Sequence, residues 1–200
     1  MSVRKIAFFD FDGTITTKDT LLEIIKFQKG VLTFYIGFLL HAPWLIAYKL
    51  KLIPNHQAKQ KILSYFFAGT PETEFQDKCD QFSEKVLPSL IRPGALIEIN
   101  RLRQQGFEIV IISASAGNWL GKWAQSLSLK YIATKMEVIN GLITGRIEGK
   151  NCHGEQKVNR IRELWNLADF DEIYAFGDSP GDKPMLALAN HSFYKPFRSL

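Results

Sequence analysis

The sequence predicts an α/β protein. A parallel sheet flanked by helices is interrupted after its first strand by an all-helical segment, and it carries one small β-hairpin. Three observations support this. Short continuous apolar runs recur, each ending in a polar loop rich in small residues. Helix-patterned stretches separate the runs, which implies right-handed parallel crossovers. After the first run, a stretch of about 75 residues holds no clear strand pattern.

The first run, Lys5–Phe9, stops at Asp10-Phe11-Asp12-Gly13-Thr14 and reads as a strand buried on both faces, then a loop. Helices are expected over Thr20–Lys29, Val31–Tyr48, His56–Ala68 and Glu72–Val86. Thr70-Pro71-Glu72 is a strong helix start, with a capping residue, a proline and an acid at the positive end of the dipole. A helix over Pro93–Gln105 stops at Gly106 and leads into the second run, Glu108–Ile112, which ends at Ser113-Ala114-Ser115-Ala116-Gly117. A helix over Asn118–Ser126 and a weaker strand over Tyr131–Thr134 follow. Alternation around Asn140-Gly141 marks Met136–Gly149 as a hairpin. A helix over Glu155–Leu167 precedes the third run, Glu172–Phe176, and its loop Gly177-Asp178-Ser179-Pro180-Gly181-Asp182. A short helix over Asp182–Ala189 and a weak strand over Ser192–Tyr194 complete the pattern. Residues 1–15 and 92–200 thus form the core, and residues 16–91 a helical insert. In parallel sheets ligands sit beyond the carboxyl ends of the strands, so one crevice can collect the three polar loops.

Composition narrows the classes. The 200 residues are 46% hydrophobic and 12% aromatic, which excludes disordered, collagen-like and coiled-coil chains. The net charge of +5 includes no Lys/Arg run longer than two. The insert has nine Lys against seven acids and the core sixteen Lys plus Arg against thirteen, so neither part calls for a nucleic-acid partner. Cys79 and Cys152 form no CxxC pair, which fits a reducing cytoplasm without disulfides or structural zinc. After Arg4 and Lys5, the apolar run Ile6–Phe9 is too short for a signal peptide. Val31–Tyr48 contains no Asp, Glu, Lys or Arg and is flanked by Lys26, Lys29, Lys49 and Lys51. Interrupted by His41 and Pro43, it is expected to form a buried or pocket-lining helix pair. Peripheral contact with a membrane is the alternative. A full span is disfavoured, because the insert must fold back onto the sheet.

The chemistry concentrates in the loops. Asp10 and Asp12 stand two residues apart at a strand end, and close carboxylates repel unless a cation or shared proton relieves them. With Asp178 and Asp182 they make four carboxylates facing one crevice, an all-oxygen set suited to Mg²⁺. Ser113 and Lys157 could bind a phosphate beside that ion, and Gly13 with Thr14 would let backbone N–H groups approach it. His41, His56, His153 and His191 have no metal-ligand spacing, and the four Trp read as packing residues. Ser113 and Ser115 sit in no Ser-His-Asp context, and nothing marks Cys152 as a nucleophile.

In this order, FFDFDGTIT, IISAS, Lys157 and GDSPGD resemble the four motifs of the haloacid dehalogenase-like (HAD) hydrolases. The resemblance covers Ile6–Ile15 and about Pro93–Tyr194, and the insert occupies the position of a type 1 cap. The helical insert and EVINGLITGRIEGKNCHGEQK make the chain similar to the phosphoserine-phosphatase-like branch, subfamily IB. The resemblance implies a Rossmann-like core, Mg²⁺ as cofactor, and phosphomonoester hydrolysis through an aspartyl-phosphate. It implies Asp10 as nucleophile and Asp12 as general acid/base. Ser113, with Ala114 and Gly13 beside the phosphate, corresponds to the second motif's phosphate-binding hydroxyl. Lys157 corresponds to the lysine that holds phosphoryl oxygens and neutralises Asp10. Asp10, Asp178 and the Asp12 carbonyl correspond to metal ligands, and Asp182 supports them.

In that branch the cap selects the leaving group. Asp19 stands where phosphoserine phosphatases place an acid for the amino group. Thr16–Ile91 contains no arginine for the carboxylate, leaving Lys59 or Lys61 in that role. The expected partner is a small phosphorylated substrate. The alternatives are a membrane-proximal lipid phosphatase of the phosphatidylglycerophosphate type, and a non-catalytic lipid- or partner-binding domain with a vestigial site.

Overall fold

The computed structural model describes residues 3–198. Its centre is a six-stranded sheet in the order β4-β3-β2-β1-β5-β6. The central strand β1 (Lys5–Phe9) pairs in parallel with β2 (Phe107–Ala116) and with β5 (Glu172–Gly177). On one flank β3 (Lys130–Ile139) runs parallel to β2, and β4 (Leu142–Glu148) returns antiparallel to it. On the other, β6 (His191–Tyr194) runs parallel to β5. Asn140 and Gly141 both have positive φ, as the two-residue hairpin turn requires.

The central strands alternate between two buried layers. Ile6, Phe8, Val110, Ile112 and Ala175 face the layer under α9 (Glu155–Leu164) and α10 (Lys183–Leu186). Ala7, Phe9, Ile109, Ile111 and Phe176 face a larger cluster that includes residues of α7 (Pro93–Gln104), α8 (Gly117–Ser126) and the helical insert. Both faces are covered, so these strands read as unbroken apolar runs.

The insert contains α1 (Thr20–Lys29), α2 (Val31–Leu40), α3 (Ala42–Lys49), α4 (Asn55–Phe67), α5 (Glu72–Lys85) and the short α6 (Leu87–Leu90). A small antiparallel neck joins it to the sheet. Thr17 donates its N–H to the Leu90 carbonyl at 2.7 Å, and Arg92 to that of Ile15 at 2.8 Å. The hairpin clamps it again, because Gly69 donates to Ile143, Ile143 to Thr70 and Glu72 to Gly141, each at 2.9 Å. At Gly145 the backbone of β4 lies so close to Ser64 of α4 that any side chain there would strike it.

The structure departs from the sequence reading in four places. The stretch Ser113–Ala116, expected as loop, continues β2, with a register shift against β3 between Ser113 and Ala116. The helix expected to run to Leu167 ends at Leu164, and that over Asp182–Ala189 contracts to Lys183–Leu186. Val31–Tyr48 forms the expected helix pair, α2 and α3, bent by 62° at the break, and departs only in its burial. Pro43 has no N–H to donate to Leu39, and its ring excludes a straight continuation. The expected burial of this pair is corrected. Only Phe34 and Gly37 are buried, while Leu32 and Leu39 are each 75% exposed. Its pocket-lining role is retained in part, through Phe38, Leu45 and Tyr48. Among the described residues no single helix is long and apolar enough to cross a membrane, although the bent pair has the combined length and composition.

Candidate active site

A cavity of about 610 Å³ opens at the carboxyl ends of β1, β2 and β5, beneath the insert. Asp10, Asp12, Gly13, Asp19, Lys59, Ala114, Lys157, Asp178 and Asp182 all border it. Ser113 does not. It is fully buried, and its Oγ accepts the Ser115 N–H at 2.9 Å.

Lys157, carried by α9, forms the floor. Its buried ammonium donates to Asp10 Oδ1 at 2.6 Å, Asp182 Oδ1 at 2.7 Å and the Ile112 carbonyl at 2.8 Å. All three of its protons are therefore used. Burial alone would discharge this lysine, but the adjacent Asp10 and Asp182 charges and their hydrogen bonds outweigh it and raise its pKa. Asp10 is pushed up to about 7, chiefly by burial, against the opposing pull of Lys157. Asp182 is also buried, but the Lys157 charge and hydrogen bonds from Lys157 and Ser179 hold its pKa below the usual carboxylate value. The Asp182 Oδ2 atom accepts the Ser179 N–H at 2.9 Å and its Oγ–H at 2.7 Å.

Asp12 is oriented away from this triad. Its Oδ1 accepts the Thr20 N–H at 2.7 Å and the Thr20 hydroxyl at 2.6 Å; its Oδ2 accepts the Ser115 hydroxyl at 2.6 Å. Thr20 in turn accepts the Trp119 indole N–H at 3.0 Å. Sequence reasoning missed these partners. Thr20 read only as a helix start, and Ser115 reaches Asp12 because the register shift frees it from the β2–β3 ladder. Thr14 was also missed as a partner of Asp10; its hydroxyl donates to Oδ2 at 3.0 Å.

Gly13 has φ +79°, and a side chain there would collide with the Asp178 carboxylate. Carboxylate oxygens of Asp10, Asp178 and Asp182 lie within 4.8 Å of one another. The Asp12 carboxylate is not part of this group, so three of the four expected carboxylates converge. Arg198 donates to Asp178 Oδ2 at 2.7 Å. At the cavity mouth, Asp19 caps α1 by accepting the Leu21 N–H at 2.9 Å. Desolvation, and then the Asp12 charge, push its carboxyl up to about 6. Lys59 reaches in from α4 and donates to the Ala114 carbonyl at 2.6 Å.

The match to known proteins agrees with this architecture. The family model for haloacid dehalogenase-like hydrolases matches residues 7–187. The chain belongs to that family. Protein CicA of Caulobacter vibrioides (strain NA1000 / CB15N) is 33% identical over 194 residues, covering 95% of this chain and 85% of that protein. A protein named "Probable phosphatase" in Mycobacterium tuberculosis (strain ATCC 25618 / H37Rv) is 29% identical over 206 residues, covering 98% and 71%. A phosphoserine phosphatase structure in apo form superposes with a TM-score of 0.69 at 19% identity, covering 96% of this chain and 86% of that one. The chain therefore has the phosphoserine-phosphatase-like form of the HAD fold.

Proposed function

We propose that this HAD-family phosphatase hydrolyses phosphate monoesters in two displacements at Asp10, with residues 16–91 as the cap over a catalytic core formed by residues 1–15 and 92–200. The observation that carries this reading is the Asp10–Lys157–Asp182 triad, buried beside Asp178 at the floor of the cavity. Phosphoryl transfer needs positioning and charge neutralisation above all, and this floor supplies both. An Asp10 oxygen attacks phosphorus while the ester P–O bond breaks, and Asp12 protonates the departing oxygen. Water then attacks the phosphorus of the aspartyl-phosphate as the Asp10 Oδ–P bond breaks, Asp12 accepts the water's proton, and inorganic phosphate leaves the regenerated Asp10 carboxylate. Thr20 and Ser115 hold Asp12 for both transfers. Lys157 fixes the Asp10 rotamer and offsets its charge as the anionic ester approaches. Ala114 and Gly13, which border the cavity, are assigned to the phosphoryl oxygens; Ser113 lies outside the lining, and its Oγ instead holds the Ser115 N–H and so shapes the loop beside them.

The oxygen-only cluster fits a hard divalent ion. Asp10 and Asp178, with the Asp12 carbonyl, would hold Mg²⁺, and Asp182, committed to Lys157 and Ser179, would support them. When bound, Mg²⁺ supplies positive charge against the nucleophile and the phosphate.

A second reading of the substrate rests on the cavity wall. Leu21, Leu22, Phe38, Leu45 and Ile62 line it, while Lys59 replaces a bidentate arginine within the cap. Those contacts suit a leaving group with an apolar chain, such as a lipid phosphate, better than phosphoserine. The test is release of inorganic phosphate from phosphoserine, sugar phosphates, nucleotides and phosphatidylglycerophosphate, alongside a soluble aryl phosphate. A wild-type chain inert on every ester, or an Asp10→Asn variant as active as wild type, refutes the phosphatase reading. Preference for phosphoserine over phosphatidylglycerophosphate refutes the lipid reading alone.

A further inference from the structure

We infer that the α2–α3 elbow is a docking surface for an anionic lipid bilayer, on which the chain sits peripherally with its cavity mouth beside the membrane. The first observation is geometric. On α2 the pairs 31/32, 35/36 and 39/40 are all exposed and mostly large and apolar, whereas Phe34 and Gly37 face inward. Spacing by four residues puts those pairs on one helical face. On α3 and just beyond it, Trp44, Ile46, Leu50 and Leu52 continue the exposed apolar surface. An apolar patch of this kind on a folded chain marks an interaction surface.

The second observation is charge. Residues 24–71 contain six lysines and no Asp or Glu. Lys49 and Lys51 are exposed where α3 ends, and Lys61 lies over the Trp44 ring at 5.0 Å. Glu23, just before this stretch, is already paired with Lys26 at 2.7 Å. Apolar side chains bordered by lysines and by the amphipathic rings of Tyr35, Trp44 and Tyr48 match an interface of acyl chains below anionic headgroups. A second copy of this chain would bring the lysines against their own kind, and protein interfaces are depleted of lysine. Both considerations favour lipid.

The third observation is continuity. Phe38, Leu45 and Tyr48 belong to the elbow and also line the cavity that holds Asp10. An amphiphilic ester could then keep its chain near the bilayer while its phosphate reaches the floor. That last step rests on the phosphatase reading; the docking does not.

Flotation with vesicles separates the two. Wild-type chain is expected to float with phosphatidylcholine–phosphatidylglycerol vesicles in low salt. It should stay behind with phosphatidylcholine alone, and binding should weaken as salt rises. Leu39→Glu/Ile46→Glu should lose at least about tenfold in vesicle partition. Lys49→Gln/Lys51→Gln should lose about fivefold per lysine. Both variants should hydrolyse a soluble aryl phosphate as wild type does. Should Leu39→Glu/Ile46→Glu unfold, the exposed lysine pair decides alone. Asp10→Asn should bind vesicles undiminished while losing hydrolysis, so failed catalysis and failed docking are distinguishable. Wild type remaining unbound with anionic vesicles, or binding unaffected by either variant, overturns the proposal. Self-association that Leu39→Glu/Ile46→Glu abolishes, without vesicle binding, overturns it in favour of a second copy.

Discussion

The floor of the cavity and the elbow of the insert treat their side chains in opposite ways. At the floor, a buried lysine and two carboxylates are matched so closely that Lys157 has no unused proton. At the elbow, large apolar side chains remain in water, and none of the described residues covers them. Burying a charge is costly unless it is paired, and exposing apolar area forfeits stabilisation of roughly 25 cal/mol per Å². The floor has absorbed its cost internally. The elbow's apolar face can be compensated only from outside. Their difference separates a site organised for chemistry from a surface organised for contact.

The widest separation between the two regions should come from Asp10→Asn, which is expected to lower hydrolysis of an aryl phosphate about a thousandfold or more. The substitution should leave the elbow's behaviour unchanged, as flotation would register. Chelation should act next, with EDTA abolishing turnover and added Mg²⁺ restoring it; activity that survives exhaustive chelation would remove the ion from the mechanism. Lys157→Met strips the compensation from Asp10 and Asp182 together, so stability should fall by about 3–5 kcal/mol in urea unfolding. A smaller loss, about 1–3 kcal/mol, is expected for Thr20→Val, which leaves the Asp12 carboxylate and the Trp119 indole short of a partner. Leu39→Glu alone should shift stability by no more than about 0.5 kcal/mol, because its site is already in solvent. A large destabilisation there would mean that the elbow is part of the core.

A subtler effect belongs to Asp19. Its folded pKa of about 6 lies above the ordinary 3.8, so the folded chain binds the extra proton between those values. Its contribution to stability is therefore present at low pH and lost as pH rises from about 4 through 6. Asparagine also caps helices, so Asp19→Asn should make that limb shallower without disturbing α1, leaving the part that the raised Asp10 carboxyl contributes. An unchanged profile would show that the exposed Asp19 carboxylate keeps its water, so that neither desolvation nor the Asp12 charge raises it.

Much of this was legible in the sequence, for physical reasons. β1 and β5 are short apolar runs because both faces are buried, and Asn140-Gly141 announces its own turn. Asp10, Asp178 and Asp182 follow strand ends, where a parallel sheet gathers its loops. What was hidden depends on long-range geometry. Thr20 and Ser115 meet at Asp12 only after the sheet and α1 pack together, and no local pattern encodes that. The small residues of Ser113–Ala116 suggest a loop, yet they extend β2 until the register shift turns two of them out. In Val31–Tyr48 an apolar stretch without charge suggested burial. A segment apolar on every side leaves no sign of which side faces out.

The clamps on the insert have a mechanical consequence. It is tied down at the neck, where Thr17 and Arg92 bond to Leu90 and Ile15, and again where residues 69–72 lace onto the hairpin. A swinging lid needs one free end, and this insert has none. Between those ties lie α2 and α3, which rest on α4 through Phe38 on Phe66 and Trp44 under Lys61. Any widening of the cavity would therefore have to come from those side-chain contacts, at the wall that Phe38, Leu45 and Tyr48 form, and not from rotation of the whole insert.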